Sequence, residues 1–312
     1  MARIHGIDHE ILPLNLGGNP FGWTADQETS FEVLDAFVAG GGSFVDTADV
    51  YSAWVPGNSG GESERIIGAW MASRGNREQV VVATKTGQLE SRTGLAEATV
   101  KASVRDSLER LGTDHIDLYY AHRDDAEVSI ESQVRTFGGL VADGTISAIG
   151  LSNYSPERVR DWVKTADALG LPRPAAIQTR YSLVSRHDYE TNDASLVRDF
   201  GVASFPYSTL GSGFLSGKYR TAEDLVGARA GAAKAYLDAG GLSVVDALAG
   251  VAEAHDAELT TIALAWLLAR GVTAPIASAS HAAQVAALLA AVAVKLTAEE
   301  VSALTAASAA FA

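Results

Sequence analysis

The chain has 312 residues, 47% of them hydrophobic, and a formal net charge of −14 from 38 acidic against 24 basic side chains. This supplies material for a large core, and the acidic balance argues against nucleic acid or an anionic membrane as the main partner. There is no cysteine, which excludes disulfides, a thiolate nucleophile and cysteine-ligated zinc and fits a cytoplasmic location.

The first ten residues contain no long apolar stretch, so no secretory signal is expected. No later stretch approaches the roughly 18 apolar residues of a membrane span. His5 to Ile11 resembles a short hairpin that would cap the floor of a barrel. Leu12–Leu16 then reads as a strand and Gln27–Ala39 as a helix, ended by the permissive turn Gly40-Gly41-Gly42. Strand runs follow at Phe44–Ala48, Val80–Thr86, Ile116–His122, Ile146–Ser152, Ala176–Tyr181, Val202–Tyr207 and Thr273–Ser278. Between and after them the spacing predicts helices at Glu62–Ser73, Ala96–Leu111, Val128–Ala142, Pro156–Ala168, Asp193–Phe200, Leu259–Ala269 and Ala282–Ala291. Ser155 before Pro156 is a hydroxyl cap followed by a proline at the first helical position.

Eight strands alternating with eight helices predict an α/β fold with a parallel sheet. The simplest closure is one (β/α)8 TIM barrel domain over residues 1–312. Gly211 to Gly241 is the only long insertion, and a loop of that length in a barrel is usually functional or mobile. No linker, low-complexity tract, heptad or interface stripe stands out, so the oligomeric state is left open.

Asp46, Lys85 and His122 each close a strand run, on neighbouring strands two, three and four, and Tyr51 lies in the loop after Asp46. Barrel strands point their C-terminal ends at one face, so all four can converge. A free phenol is a poor acid at neutral pH. A lysine ammonium beside it favours the phenolate, and a buried aspartate keeps the lysine charged. The imidazole can orient a carbonyl oxygen. Such a group protonates an oxygen on which negative charge develops, as happens when hydride reaches a carbonyl carbon. Taken singly, Asp46 with Lys85 also suits a structural ion pair, Tyr51 a packing tyrosine and His122 a core histidine. Four in register favour function.

At these residues the chain resembles the aldo-keto reductase family. The stretch from Gly42 to Tyr51 is similar to its aspartate–tyrosine signature. Gly61-Glu62-Ser63-Glu64, Ala83-Thr84-Lys85 and Tyr120-Ala121-His122-Arg123 are similar to its neighbouring segments. The resemblance implies a barrel that reduces aldehydes or ketones to alcohols with NADPH, NADH being the lesser choice, with Tyr51 as proton donor. It implies that Ser152, Asn153 and Gln178 hold the nicotinamide carboxamide and that Tyr207 stacks on its ring. The run Ser208, Leu210, Ser212, Gly213, Leu215, Gly217 and Lys218 is similar to the pyrophosphate loop. Pro275 to Gln284 aligns with the segment around the 2′-phosphate, but Ser278, Ser280 and Gln284 stand where lysine or arginine is common, and Ala287 and Leu288 replace a Glu-Asn pair. Those serines also suit a helix cap. No Gly-x-Gly-x-x-Gly follows a strand, so no Rossmann grip is expected.

Trp23, Trp54 and Arg123 fall where a substrate wall belongs, with Asp124 and Asp125 beside them as rim or solvated loop acids. Aromatic walls with polar neighbours suit a small-molecule sugar or aromatic carbonyl. Little chain follows the last helix, so an open pocket and broad specificity are expected. The other histidines lack metal-ligand spacing, and no metal is predicted. Two competing readings are a barrel hydrolase or lyase using Asp46 with Asp49 or Asp124, and a non-catalytic NADPH-binding sensor.

Overall fold

The frame of the structure, a computed structural model that describes residues 1–312, is a ring of short parallel strands. A two-stranded hairpin, β1 (Ala2–Ile4) and β2 (Ile7–Ile11), precedes it. The ring comprises β3 (Asn15–Gly17), β4 (Phe44–Asp46), β5 (Val81–Thr86), β6 (Ile116–Ala121), β7 (Ile146–Ser152), β8 (Ala176–Gln178), β9 (Ala203–Ser204) and β10 (Ile276–Ala277). Each strand is parallel to the next, and β10 pairs with β3. The remaining gap is bridged where the amides of Ala274 and Ile276 donate to the carbonyls of Ser204 (3.2 Å) and Pro206 (2.9 Å). The ring with its helices is the expected (β/α)8 fold.

The helices are α1 (Gln27–Ala39), α2 (Glu62–Arg74), α3 (Glu97–Leu111), α4 (Ile130–Ala142), α5 (Pro156–Leu169), α6 (Ala194–Phe200), α7 (Ala230–Asp238), α8 (Leu242–Ala254), α9 (Leu259–Ala269), α10 (Val285–Ala290) and α11 (Ala298–Ala307). Capping fixes several starts: Ser155 accepts from the Arg158 amide ahead of α5, and Thr297 forms a reciprocal capping box with Glu300 ahead of α11. No single helix is long and apolar enough to cross a membrane.

Strand alternation divides the interior in two. Val45 and Val82 point outward into the large cluster beneath the helices, whereas Phe44, Val81, Ala83, Leu118 and Phe205 fill the barrel. Ile4, Ile7 and Ile11 of the hairpin join that inner cluster and plug the floor, as the sequence predicts. The same alternation sends Asp46 and Lys85 inward above the plug.

Three expectations need correction. Several strands are shorter than predicted, because the chain stays extended but the ladder thins to isolated bridges: beyond β9 the Tyr207 amide donates to the Thr179 carbonyl at 2.9 Å and its carbonyl accepts from the Tyr181 amide at 3.3 Å. The Gly211–Gly241 insertion is not mere loop; it holds a 3-10 segment, Gly211–Ser216, and α7. Helix α8 was missed, although Val244, Val245, Leu248 and Ala252 form its buried face, because alanine and glycine on the other faces dilute the contrast.

Candidate active site

Lys85 on β5 is fully buried, and its Nζ lies 2.5 Å from Asp46 Oδ1, 2.6 Å from the Thr47 carbonyl and 3.5 Å from the Tyr51 phenol oxygen. Gln178 on β8 donates to the other Asp46 oxygen at 2.9 Å. Burial alone would discharge both members of the pair. Asp46 lies close enough to reverse this for the amine, and Lys85 is held above its ordinary value and stays charged. The Tyr51 phenol moves upward, because burial outweighs the opposing pull of Lys85. The expected lowering by lysine is therefore present only as a partial offset, and the resting phenol keeps its proton. His122 is held well below the usual imidazole range by burial, then by the charges of Lys85 and Arg123, so it is neutral. Its ring lies 6.1 Å from that of Tyr51.

Asp46, Tyr51 and His122 open onto a cavity of about 900 Å³ at the C-terminal ends of the strands. Ser152, Asn153, Gln178, Tyr207, Ser208, Leu210, Ser212, Gly213 and Lys218 share its wall, and Ser278, Ser280 and Gln284 line the far side. Leu215 and Gly217 do not. Leu215 is buried in the core, and a Cβ on Gly217 would meet Leu259 Cδ2 at 2.9 Å, so both serve the packing behind the loop.

Only four non-glycine residues have positive φ, and three of them, Asn153 (55°), Ser208 (55°) and Ser212 (56°), stand on this wall. Backbone strain of this kind concentrates at functional sites. Side-chain bonds hold the region in shape. Asn153 Nδ2 donates to the His122 carbonyl at 2.9 Å, and the Tyr207 hydroxyl donates to Asn153 Oδ1 at 2.8 Å. Arg180 lies over the Tyr207 ring, 5.7 Å from its centroid.

With this geometry established, comparison with known proteins is direct. The sequence profile of the Aldo/keto reductase family matches residues 13–309. The chain belongs to the aldo/keto reductase family. It is 32% identical over 275 residues to the norsolorinic acid reductase of Aspergillus flavus, covering 83% of this chain and 67% of that protein. It is 34% identical to the norsolorinic acid reductase stcV of Emericella nidulans (72% of this chain, 59% of that protein) and 33% identical to the aldo-keto reductase str7 of Strobilurus tenacellus (80% and 72%).

Ser280 does not cap the following turn. Its hydroxyl pairs with that of Thr24 at 3.2 Å, and its amide donates to Gln284 Oε1 at 2.8 Å. The Gln284 amide nitrogen thus remains available to a ligand. Sequence reasoning missed Arg229, which lines the cavity and lies 5.5 Å over the Trp23 ring, and Gln88, which donates to the His122 carbonyl at 3.3 Å. Neither sits in a recognisable motif; only the fold of the insertion and the loop after β5 brings them in.

On the substrate side Trp23 and Arg123 line the cavity. Trp54 stands at its edge, 5.6 Å from Trp23 and 5.8 Å from Tyr51, edge to face with both. The neighbouring acids are occupied elsewhere. Asp124 is gripped by Arg158 through two bonds of 2.6 and 2.7 Å, and Asp125 accepts from the Leu95 amide at 2.8 Å. Asp49 is buried away from the cavity beside Glu64, Arg110, Thr86 and Tyr119. Neither Asp49 nor Asp124 therefore stands beside Asp46 as the partner that the hydrolase or lyase reading assigns it.

Proposed function

We propose that this chain reduces aldehydes and ketones to alcohols, with NADPH as hydride donor and aromatic carbonyl compounds as preferred substrates. The observation that carries the reading is a protonated phenol on a cavity wall, 3.5 Å from a buried, charged ammonium.

The carbonyl oxygen of a substrate accepts a hydrogen bond from the neutral His122 ring, which fixes its direction. Tyr51 holds the proton that this oxygen takes as negative charge develops on it. The phenolate left behind faces the Lys85 ammonium, and Asp46, braced by Gln178, keeps that ammonium charged. A bound NADPH supplies the hydride to the carbonyl carbon. Ser152, Asn153 and Gln178 would hold its carboxamide and Tyr207 its ring. Asn153 and Gln178 already spend amide protons on the His122 carbonyl and Asp46, so Ser152 and the amide oxygens carry more of that task. Ser208, Leu210, Ser212, Gly213 and Lys218 suit the pyrophosphate, and Ser278, Ser280 and Gln284 suit the 2′-phosphate. Gly211, Ser212 and Gly213 are left-handed in succession, a backbone shape that lets a phosphate approach the chain closely. Lys218 and Arg229 set two positive charges on the wall against the carboxylate of Glu258, which suits the phosphates of a dinucleotide, and the choice of NADPH over NADH rests on the family resemblance.

The test titrates the protein with NADPH and with NADH, then follows loss of nicotinamide absorbance on adding benzaldehydes and aliphatic ketones. NADPH binding with turnover of an aromatic aldehyde is expected. Failure to bind either cofactor would sink the proposal, and binding without turnover of any carbonyl would replace it with a sensor.

A further inference from the structure

The cavity wall is cationic although the protein carries a net charge of −14. Asp46 is neutralised by Lys85, which leaves Arg123, Lys218 and Arg229 against Glu258. Lys218 and Arg229 belong to the insertion after β9, where the proposed cofactor's phosphates belong. Arg123 follows His122 at the end of β6, three strand positions away round the barrel. The nicotinamide end of NADPH has no anionic group to meet it there.

Arg123 is also unmatched within the protein. It makes no hydrogen bond or ion pair and lies over no aromatic ring, alone among the arginines. Even Arg105, Arg160 and Arg180, which have no salt bridge, are engaged with the Lys101 carbonyl, the Ser195 hydroxyl and the Tyr207 ring. The two acids that follow Arg123 in sequence are the obvious counter-ions, and both are turned away and occupied, Asp124 by Arg158 and Asp125 by backbone amides. A free guanidinium presents a planar fork of donors suited to a carboxylate. Trp23 lines the same cavity and, with Trp54 packed edge to face against it, supplies an apolar wall.

We propose that Arg123 is a specificity-determining residue that selects aromatic carbonyl substrates bearing a carboxylate or another anionic group on the ring. The aromatic ring packs against the wall made by Trp23 with Trp54 behind it, the carbonyl meets Tyr51 and His122, and the anion meets the Arg123 guanidinium. This rests on the carbonyl-reductase reading for the placement of the carbonyl, but the anion site can be tested without turnover.

Calorimetric titrations compare benzoate with its neutral isostere benzamide, with and without oxidised cofactor, on the wild type and on Arg123→Met. Arg123 is exposed, so solvent screening holds a charge-assisted hydrogen bond there to about threefold to tenfold in affinity. Benzoate is expected to bind tighter than benzamide by about threefold to tenfold. The gap should shrink at high salt and vanish in Arg123→Met. Equal binding of the two, or a benzoate preference that survives in Arg123→Met, overturns the proposal. In parallel, kcat/KM is compared for 4-carboxybenzaldehyde and 4-formylbenzamide. The same preference and the same collapse are expected. A benzoate preference that depends on Arg123, with neither aldehyde reduced, supports the anion site and refutes carbonyl reduction instead.

Discussion

Replacing Lys85 with methionine isolates the charge on which the proposed chemistry depends. The ammonium is fully buried and lies 3.5 Å from the Tyr51 oxygen, so at an effective dielectric of about 20 it stabilises a phenolate by roughly 5 kcal/mol. Water in the cavity screens part of this, and half that figure is a fair lower value. Turnover of Lys85→Met should therefore fall by between about 50-fold and 3,000-fold, with cofactor affinity little changed. The variant also strands Asp46, which keeps only the Gln178 bond, and breaking a buried pair costs roughly 3–5 kcal/mol. With lysine gone, burial pushes the Asp46 carboxyl further up. A carboxyl whose folded pKa exceeds its unfolded value binds more protons when folded, so the variant's stability is greatest at low pH and falls as pH rises. Thermal melts from pH 5 to pH 8 and cofactor-linked assays read the two effects separately. Turnover within about fivefold of wild type would refute Lys85 as the charge behind Tyr51.

Tyr51→Phe should cost at least about a hundredfold in turnover, the usual scale of a general acid. NADPH affinity and fold should survive, because the phenol's only hydrogen bond is the 3.5 Å contact with Lys85; near wild-type turnover would reassign the donor. Asp49 is raised to about 7 by burial, then by Glu64, from an ordinary 3.8. The folded protein therefore holds a proton there that the unfolded chain has lost, and this group's share of stability declines between about pH 4 and pH 7, by as much as roughly 4 kcal/mol. Asp49→Asn removes that decline, so the gap between variant and wild-type urea midpoints should widen from pH 5 to pH 8 in the variant's favour; a constant gap contradicts the assignment. Gly150 faces the Tyr120 ring, and a Cβ there would stand 2.3 Å from two ring carbons. Gly150→Ala should cost about 1–3 kcal/mol by overpacking, read as a lower urea midpoint, and an unchanged midpoint would show that the ring moves freely.

The candidate site was legible because barrel chemistry concentrates at strand ends. Asp46, Lys85 and His122 each terminate an apolar run; Asp46 pairs with Ala83 and Lys85 with Tyr120, so each stands two residues beyond its neighbour's partner, the stagger by which tilted barrel strands bring side chains to one level. The glycine- and serine-rich run after β9 was readable as a loop shaped for phosphate, yet its burial pattern was not. Leu215 and Gly217 were assigned to the cavity because they lie within the motif. The turn at Gly213 sends them into the core instead. Helix α8 escaped notice because alanine and glycine make up half of its exposed face, which gives little contrast for a period to register.

Sequence alone determined the alternation of strand and helix, the hairpin at the barrel floor and the convergence of Asp46, Tyr51, Lys85 and His122 on one face, since each follows from local periodicity and strand-end position. Tertiary structure alone decided which charges remain uncompensated. Asp124 and Asp125 stand beside Arg123 in the chain, but Arg158 and the Leu95 amide claim them in space. Burial, which no linear pattern reports, also settled protonation: it leaves the phenol of Tyr51 protonated and the imidazole of His122 neutral, while Asp46 keeps the Lys85 ammonium charged.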